Sequence, residues 1–384
     1  MRFAGALGRT LLFVVIGLCL AGAIAPDFLD AIYYRGPVSD HFDGARFFNP
    51  DGGDDDLSPP GGRGAIVRYV LGGDRRPAWP QRVAVTPVRP PARVMGDAMA
   101  VTWIGHATVL IQTQGLNILT DPVWSDRAGP FGIGPGRIAE PGARFDDLPP
   151  IDIVLVSHDH YDHMDLTTLR KLWDRDRPAI VTSLGNDSVI GQAGVPATAL
   201  DWGGRVTVKG ADVIVTRNHH WGSRWIADRN RALWSSFVVR LRGGNLFFAG
   251  DTGVGDLRWA DEAARLGPVR LALIPIGAFR FTAGQMVSGS HIGPVDAVEV
   301  QRRLGAARAI GIHWATFRLS YEAWDTPPRL LAAAERCSGQ RGFAAVPIGR
   351  TVSVPAYAPP PRVAPVARAA LLRCLDTPAV RALR

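Results

Sequence analysis

The chain reads as one large α/β domain in which two sheets are flanked by helices. Three observations predict it. Apolar strand signals alternate with helix signals from about residue 100 to about residue 350, the pattern of layered sheets covered by helices. Several of those strands run straight into a His or an Asp, as expected where strand ends build a site at a sheet edge. The 384 residues, 47% of them hydrophobic, suffice for a sizeable core.

The elements follow in order. Arg2 and Arg9 precede an apolar run of fifteen residues from Leu11 to Ala25, with small residues at Ala21 and Ala23. A positive start, an apolar middle and an A-x-A pattern describe an export signal, and the run is short of the ~17–25 residues of a full span. Residues 1–25 therefore read as a signal peptide or an uncleaved N-terminal membrane anchor. Either places the protein in a bacterial cell envelope, periplasmic or anchored in the inner membrane. Leu18 before Cys19 argues against a lipoprotein box. Residues 26–95 are rich in Gly, Pro and Asp and read as a segment that wraps the domain, with a short helix end at Tyr69-Val70-Leu71. The acidic turn Asp51-Gly52-Gly53-Asp54-Asp55-Asp56 lacks the spacing of a calcium loop. The main domain, 96–354, opens with strands at Ala100–Trp103 and Val109–Gln112, and a Gly- and Pro-rich loop over 125–146 is expected to lie over the site. The tail, 355–384, is rich in Pro, Ala and Arg; it starts as a linker, with a short helix near Pro365–Leu375. Cys337 and Cys374 are compatible with one disulfide in an oxidising compartment or with two thiols.

The chemistry concentrates in Ser157-His158-Asp159-His160-Tyr161-Asp162-His163, directly after the apolar strand Ile151–Val156. In this H-x-H-x-D-H run, His158 and His160 lie two apart, so both rings can clasp one ion from an extended loop. Asp162 and His163 come where the chain turns into a helix beginning near Asp165, and can reach a second ion. Imidazole with carboxylate suits zinc, and iron or manganese less exclusively. Two ions about 3.5–4 Å apart would activate water and clamp both oxygens of a displacement. The run cannot fill two sites alone. Among the nine histidines, His219 and His220 follow the run Ala211–Asn218, His313 follows Ala309–Ile312, and Asp251 follows Asn245–Gly250. Each is a weak signal by itself; their recurrence at strand ends makes His220, Asp251 and His313 candidate ligands.

These segments resemble a known family. Asp40-His41-Phe42-Asp43-Gly44-Ala45-Arg46-Phe47-Phe48-Asn49-Pro50, Trp103-Ile104-Gly105-His106, the H-x-H-x-D-H run, His220-Trp221-Gly222-Ser223-Arg224, Leu233-Trp234-Ser235-Ser236-Phe237, Ala249-Gly250-Asp251-Thr252-Gly253, Ile274-Pro275-Ile276-Gly277-Ala278 and Ile312-His313-Trp314-Ala315-Thr316-Phe317 occur in order over roughly 38–335. Together they resemble the metallo-β-lactamase-fold hydrolases, in the N-acylphosphatidylethanolamine phospholipase D-like branch. The resemblance implies a four-layer αββα sandwich. It implies that His158, His160 and His220 hold a first zinc, that Asp162, His163 and His313 hold a second, and that Asp251 bridges them. Asp162, Asp251 and His291 are then the catalytic candidates, with His291, in Gly289-Ser290-His291, stabilising the substrate or protonating the leaving oxygen. His106 and His219 read as residues that hold ligands in place or pack. The implied reaction is phosphodiester hydrolysis by a metal-bridging hydroxide, releasing phosphatidic acid and an N-acylethanolamine.

The surroundings speak to the substrate. Arg224, Arg229 and Arg231 lie between Trp221 and Trp234, with Trp225 among them. Guanidinium groups bind phosphate oxygens, so Arg224 is a candidate substrate residue; a surface loop ordered by an Arg224–Asp228 pair is the plainer reading. Phe279, Phe281 and Met286 either line an acyl-chain channel or pack inward. The net charge of +8 comes almost wholly from arginine, with only Lys171 and Lys209 as lysines. It favours an anionic membrane surface as a partner. The absence of a dense basic helix argues against nucleic acid. Two alternatives stand beside the phospholipase reading. One is a lactonase of acyl-homoserine lactone type on the same two metals; the other is a non-catalytic lipid-binding or envelope-scaffold protein.

Overall fold

Strand β2 (Thr108–Thr113) explains the architecture. Val109 and Ile111 point into the core shared by two sheets, while Leu110 points to a second core under a helix. The same alternation recurs in β3 (Leu116–Thr120), with Ile118 inward and Leu119 outward, and in β4 (Ile153–Val156). Strands buried on both faces are continuous apolar runs, which is why the sequence shows them so plainly. The computed structural model describes residues 11–17, 20, 28–53, 77–225, 227–280 and 288–383.

The first sheet contains β1 (Met99–Gly105), β2, β3, β4, β5 (Ala179–Ser183) and β6 (Thr198–Leu200). The second contains β7 (Arg205–Val208), β8 (Ala211–Thr216), β9 (Ser236–Arg240), β10 (Asn245–Phe248), β11 (Val269–Pro275), β12 (Arg308–Ile312) and β13 (Phe343–Ala344); β14 (Thr351–Ser353) returns to the edge of the first beside β1. In each sheet an antiparallel meander gives way to a parallel half: β3 pairs parallel with β4, and β10 with β11. No repeat is readable in the residues, yet the two sheets duplicate one topology. Helices cover the outer faces. Helix α1 (Leu166–Asp176) starts where the Asp165 carboxylate accepts the Thr167 and Thr168 amides, and it buries Leu169 and Leu172. After α2 (Asn186–Gly191) and α3 (Arg258–Ala264), α4 (Pro294–Leu304) and α5 (Thr326–Ser338) each carry proline in the first turn and end at a left-handed glycine, Gly305 and Gly339. This is the expected αββα sandwich.

Both flanking segments are fastened to the domain. Asn49 grips the backbone of His220, donating to its carbonyl at 2.9 Å and accepting its amide at 3.2 Å. Phe42 and Phe47 bury against Leu233 and Trp234. The expected helix end at Tyr69–Leu71 lies outside the described residues. The tail, expected to start as a linker, is held instead: Tyr357 bonds to Gly243, and Arg270 donates to the carbonyls of Val354 and Pro355. Its helix, α6 (Arg368–Leu375), buries Leu371 and Leu375 and is joined to α5 by a Cys337–Cys374 disulfide. A short α7 (Pro378–Arg381) follows. Residues 11–17 are helical with exposed apolar side chains, and no helix among the described residues is long and apolar enough to cross a membrane.

The disulfide closes a separation of 37 residues, for which chain entropy gives about 4 kcal/mol; replacing both cysteines by serine should lower the free energy of denaturant unfolding by up to that amount. His41 stacks on Trp202 between Asp40 and Asp201, at 2.6 and 2.7 Å. Burial opposes its charge, but the two carboxylates outweigh it and raise its pKa above 6.5. The stabilisation is therefore complete below the unfolded value and is lost as pH rises through the raised one. Hydrogen exchange over residues 40–48 should speed up with rising pH more in the wild type than in His41→Gln, once corrected for intrinsic rates.

Candidate metal centre

The site lies where β3, β4, β8, β10 and β12 end. β4 passes into Ser157, whose amide and hydroxyl donate to the two oxygens of Asp121 at 2.7 and 2.6 Å. That grip sets the loop that follows. Amides of His163 and Met164 return to the His160 carbonyl, folding the run back on itself. His158 Nε2 and His160 Nδ1 come to 2.8 Å of each other. The His220 ring lies 4.7 Å from His158 and 5.3 Å from His160. Its Nδ1 donates to the Ser290 carbonyl at 2.9 Å, which leaves Nε2 for the group.

Asp162, His163 and His313 form a second group with His106. His163 Nδ1 is held by Asp121 at 2.6 Å. His163 Nε2 and His313 Nε2 each lie 3.5 Å from Asp162 Oδ2. Asp251 Oδ2 sits between the groups, 3.0 Å from the Nε2 of both His163 and His313 and 4.0 Å from His220 Nε2. His106 Nε2 donates to Asp162 Oδ2 at 2.9 Å. The backbone is strained here: His106, Asp121, His313 and Ala315 have φ of 54°, 30°, 63° and 61°. The His313 amide donates to the His106 carbonyl, so two strained residues fix each other.

The electrostatics divide the imidazoles. Burial, and then crowding by other imidazoles, holds His158 far below 6.5. Burial also drives His160 down to about 3 and His220 well below 6.5, despite the opposing pull of carboxylates. His163 and His313 go the other way. Burial alone would depress them, but Asp251 and Asp162 overcome it, lifting His163 well above 6.5 and His313 to about 9. Asp251 and Asp162 are held well below the carboxylate range: burial opposes their charge, and the facing histidines more than offset it.

The centre fits divalent metal on chemical grounds. Nε2 of His163, His220 and His313 and Oδ1 of Asp251 are buried without a hydrogen bond. Such atoms are costly in an all-protein site and are what metal ligands require. His158, His160 and His220 would hold one ion, Asp162, His163 and His313 another, with Asp251 between them; the donors suit zinc, iron or manganese.

Residues 116–314 match the β-lactamase superfamily domain. An uncharacterized protein of Mycobacterium tuberculosis is 37% identical over 270 residues, covering 68% of this chain and 70% of that one. The chain belongs to the metallo-β-lactamase superfamily. It is a metal-dependent hydrolase. The N-acyl-phosphatidylethanolamine-hydrolyzing phospholipase D 1 of Caenorhabditis elegans is 36% identical over 246 residues, covering 61% of this chain and 68% of that protein. Among solved structures, an isothiocyanate hydrolase from Delia radicum gut bacteria matches the fold with a TM-score of 0.52 at 19% identity, covering 67% of this chain and 99% of its own.

Seven of the residues expected to hold metal in this metallo-β-lactamase-fold chain are thus brought together, and His291 joins them, its Nδ1 3.7 Å from Asp251 Oδ2. His219 stands behind the site, 3.0 Å from Asp51 and bonded to Thr252. The arginine loop differs from expectation. Arg224 Nη1 donates to the carbonyls of Asp159 and Met164, both at 2.9 Å, and its guanidinium lies 3.5 Å over the Tyr161 ring. It clamps the H-x-H-x-D-H loop from outside. Asp228 does not pair with that guanidinium; it accepts the amides of Arg224 and Trp225, the Ser223 hydroxyl and the Tyr33 phenol. Arg231 is committed to Asp30, and Arg229 lies over Trp221. Phe281 and Met286 lie outside the described residues; Phe279 packs against the main core.

Three supporting residues were not read from the sequence. Asp121 ends β3 just as Asp251 follows β10, so the rule of a carboxylate after a strand would have found it. Asn49 and Glu322 carry no such signal. Glu322 is buried and accepts the amides of Ala278 and Arg280 and the Ser320 hydroxyl, fixing the loop after β11. Because Asp121 fixes the orientation of His163, Asp121→Asn should weaken metal binding by roughly 10–100-fold, read by chelator competition on protein whose circular dichroism is unchanged.

Proposed function

We propose that the chain is a binuclear phospholipase D-like phosphodiesterase acting on N-acylphosphatidylethanolamine-type lipids. The observation that carries the reading is the joint one: two donor groups flank a single carboxylate, Asp251, in a chain 36% identical to a nematode enzyme named for that hydrolysis. Two bound divalent ions would supply Lewis acidity and an activated water. The protein's own residues do the rest. Asp251 and Asp162 hold negative charge in a buried site, so they keep cations there and orient His163 and His313. His291 stands 5.2 Å from the His220 ring and 5.3 Å from the His313 ring. Burial pushes it down to about 4, so it is neutral near pH 7. A neutral imidazole donates a hydrogen bond to a phosphoryl oxygen more readily than it delivers a proton, which favours the substrate-stabilising role over leaving-group protonation.

The Cys337–Cys374 disulfide supports an oxidising compartment, and with the exposed apolar helix at 11–17 it supports the envelope location.

The test offers zinc-loaded protein N-acylphosphatidylethanolamine and, in parallel, an acyl-homoserine lactone, with products read by mass spectrometry. Phosphatidic acid and N-acylethanolamine should appear from the first. Opening of the lactone alone would overturn the proposal. His291→Ala should lower kcat by about 10²–10³ while metal content stays the same.

A further inference from the structure

We infer that the loop over residues 127–136 is a docking element for an anionic phospholipid bilayer. At its tip Phe131 is 88% exposed and Ile133 70% exposed. Single exposed apolar residues are ordinary, but two at one tip mark a contact surface. The exposure is built in. Arg127 bridges to Gly136, the Ala128 amide bonds to Pro135 at 3.0 Å, and the Ile133 amide bonds to Pro130 at 2.8 Å. The neck is so tight that a side chain at Gly129 would strike the Ile133 carbonyl, and one at Gly134 the Ala128 carbonyl. Phe131 itself takes a left-handed φ of 54°. A loop pinched this way holds its apolar tip out from the domain.

The tip stands beside the metal centre. The Phe131 ring lies 5.7 Å from Trp225, and Trp225 lies 6.4 Å from Tyr161, which sits between His160 and Asp162. Behind the tip is a recess of about 720 Å³ lined by the cations Arg127, Lys171 and Arg224. Among the described residues, neither Arg127 nor Lys171 has an ion-pair partner. Asp126 and Asp165 also line the recess, but Asp165 is spent on the amides of Trp124, Ser125, Thr167 and Thr168. An apolar wedge backed by unpaired cations on a chain of net charge +8 complements an anionic head-group layer over an acyl interior. Seated so, the metal centre would face the layer that supplies a lipid substrate. This deepens the lipid reading of the site, but the readout below is binding, so failure of one leaves the other standing.

The test uses the full chain and vesicles of phosphatidylcholine with or without about 30% phosphatidylglycerol. Wild type should co-sediment with the anionic vesicles and lose binding as salt rises. The pair Phe131→Ser with Ile133→Ser should bind roughly tenfold more weakly, and Arg127→Glu with Lys171→Glu should lose at least about fivefold per charge. Hydrogen exchange of residues 127–136 should slow when vesicles are added. The proposal is overturned if wild type ignores anionic vesicles, if both pairs of substitutions bind as wild type does, or if protection is confined to residues 1–53.

Discussion

The Asp251 carboxylate is the constraint on which the rest of the structure depends. It is buried, it comes from the second sheet, and it faces imidazoles from both. Through His163 it touches the loop after β4 in the first sheet, and through His313 the end of β12 in the second. A lone buried carboxylate is unfavourable by several kcal/mol, so positive charge must stand opposite it. Protonated His163 and His313 can supply that charge, and so can divalent cations on the same nitrogens. Either way the centre is electrostatically closed only when both sheets present their edges to one point.

The fold delivers that convergence through its parallel halves. Parallel neighbours end their strands on the same edge, so β3 and β4 bring Asp121 and the H-x-H-x-D-H loop together, and β10 and β12 bring Asp251 and His313. The duplicated topology places the two edges face to face across the shared core. The flanking segments then lock what the sheets position. Asn49 holds the backbone of His220, Asp51 holds His219, and Glu322 holds the loop leading toward His291. The wrapping segment thus supports the site, although none of its described residues joins the candidate ligand groups.

What was legible in the sequence follows from the same physics. The doubly buried strands are uninterrupted apolar runs, and a side chain soon after such a run inherits its position, so the convergence of His158, His160, Asp162, His163, His220, Asp251 and His313 could be read in order. Residues whose partners are distant in sequence could not be read. Asn49 meets His220 across 171 residues, and Tyr33 meets Asp228 across 195. The arginine loop misled for a related reason. Guanidinium groups near a metal motif suggest phosphate binding, but in the fold Arg224 and Arg231 already have partners inside the protein. The anchoring of the tail was equally out of reach, because the contacts of Tyr357 and Arg270 that fasten its start are nonlocal.

These commitments narrow where substrate recognition can reside. Metal ligation alone does not choose a reaction, since one centre of this kind serves many chemistries; the choice belongs to the surrounding loops. Arg231 is tied to Asp30, Arg229 to the Trp221 face, and Arg224 Nη1 to the loop that carries the ligands. Redirecting Arg224 toward a phosphate would release the carbonyls of Asp159 and Met164 and loosen the H-x-H-x-D-H turn itself. On the proposed function, recognition of a phosphodiester would therefore fall to the cations that the centre would hold and to His291, with Arg224 acting through the rigidity of the loop. On the same proposal, the exposed apolar side chains of Phe131 and Ile133 would be left for the part of a lipid that no charge can hold.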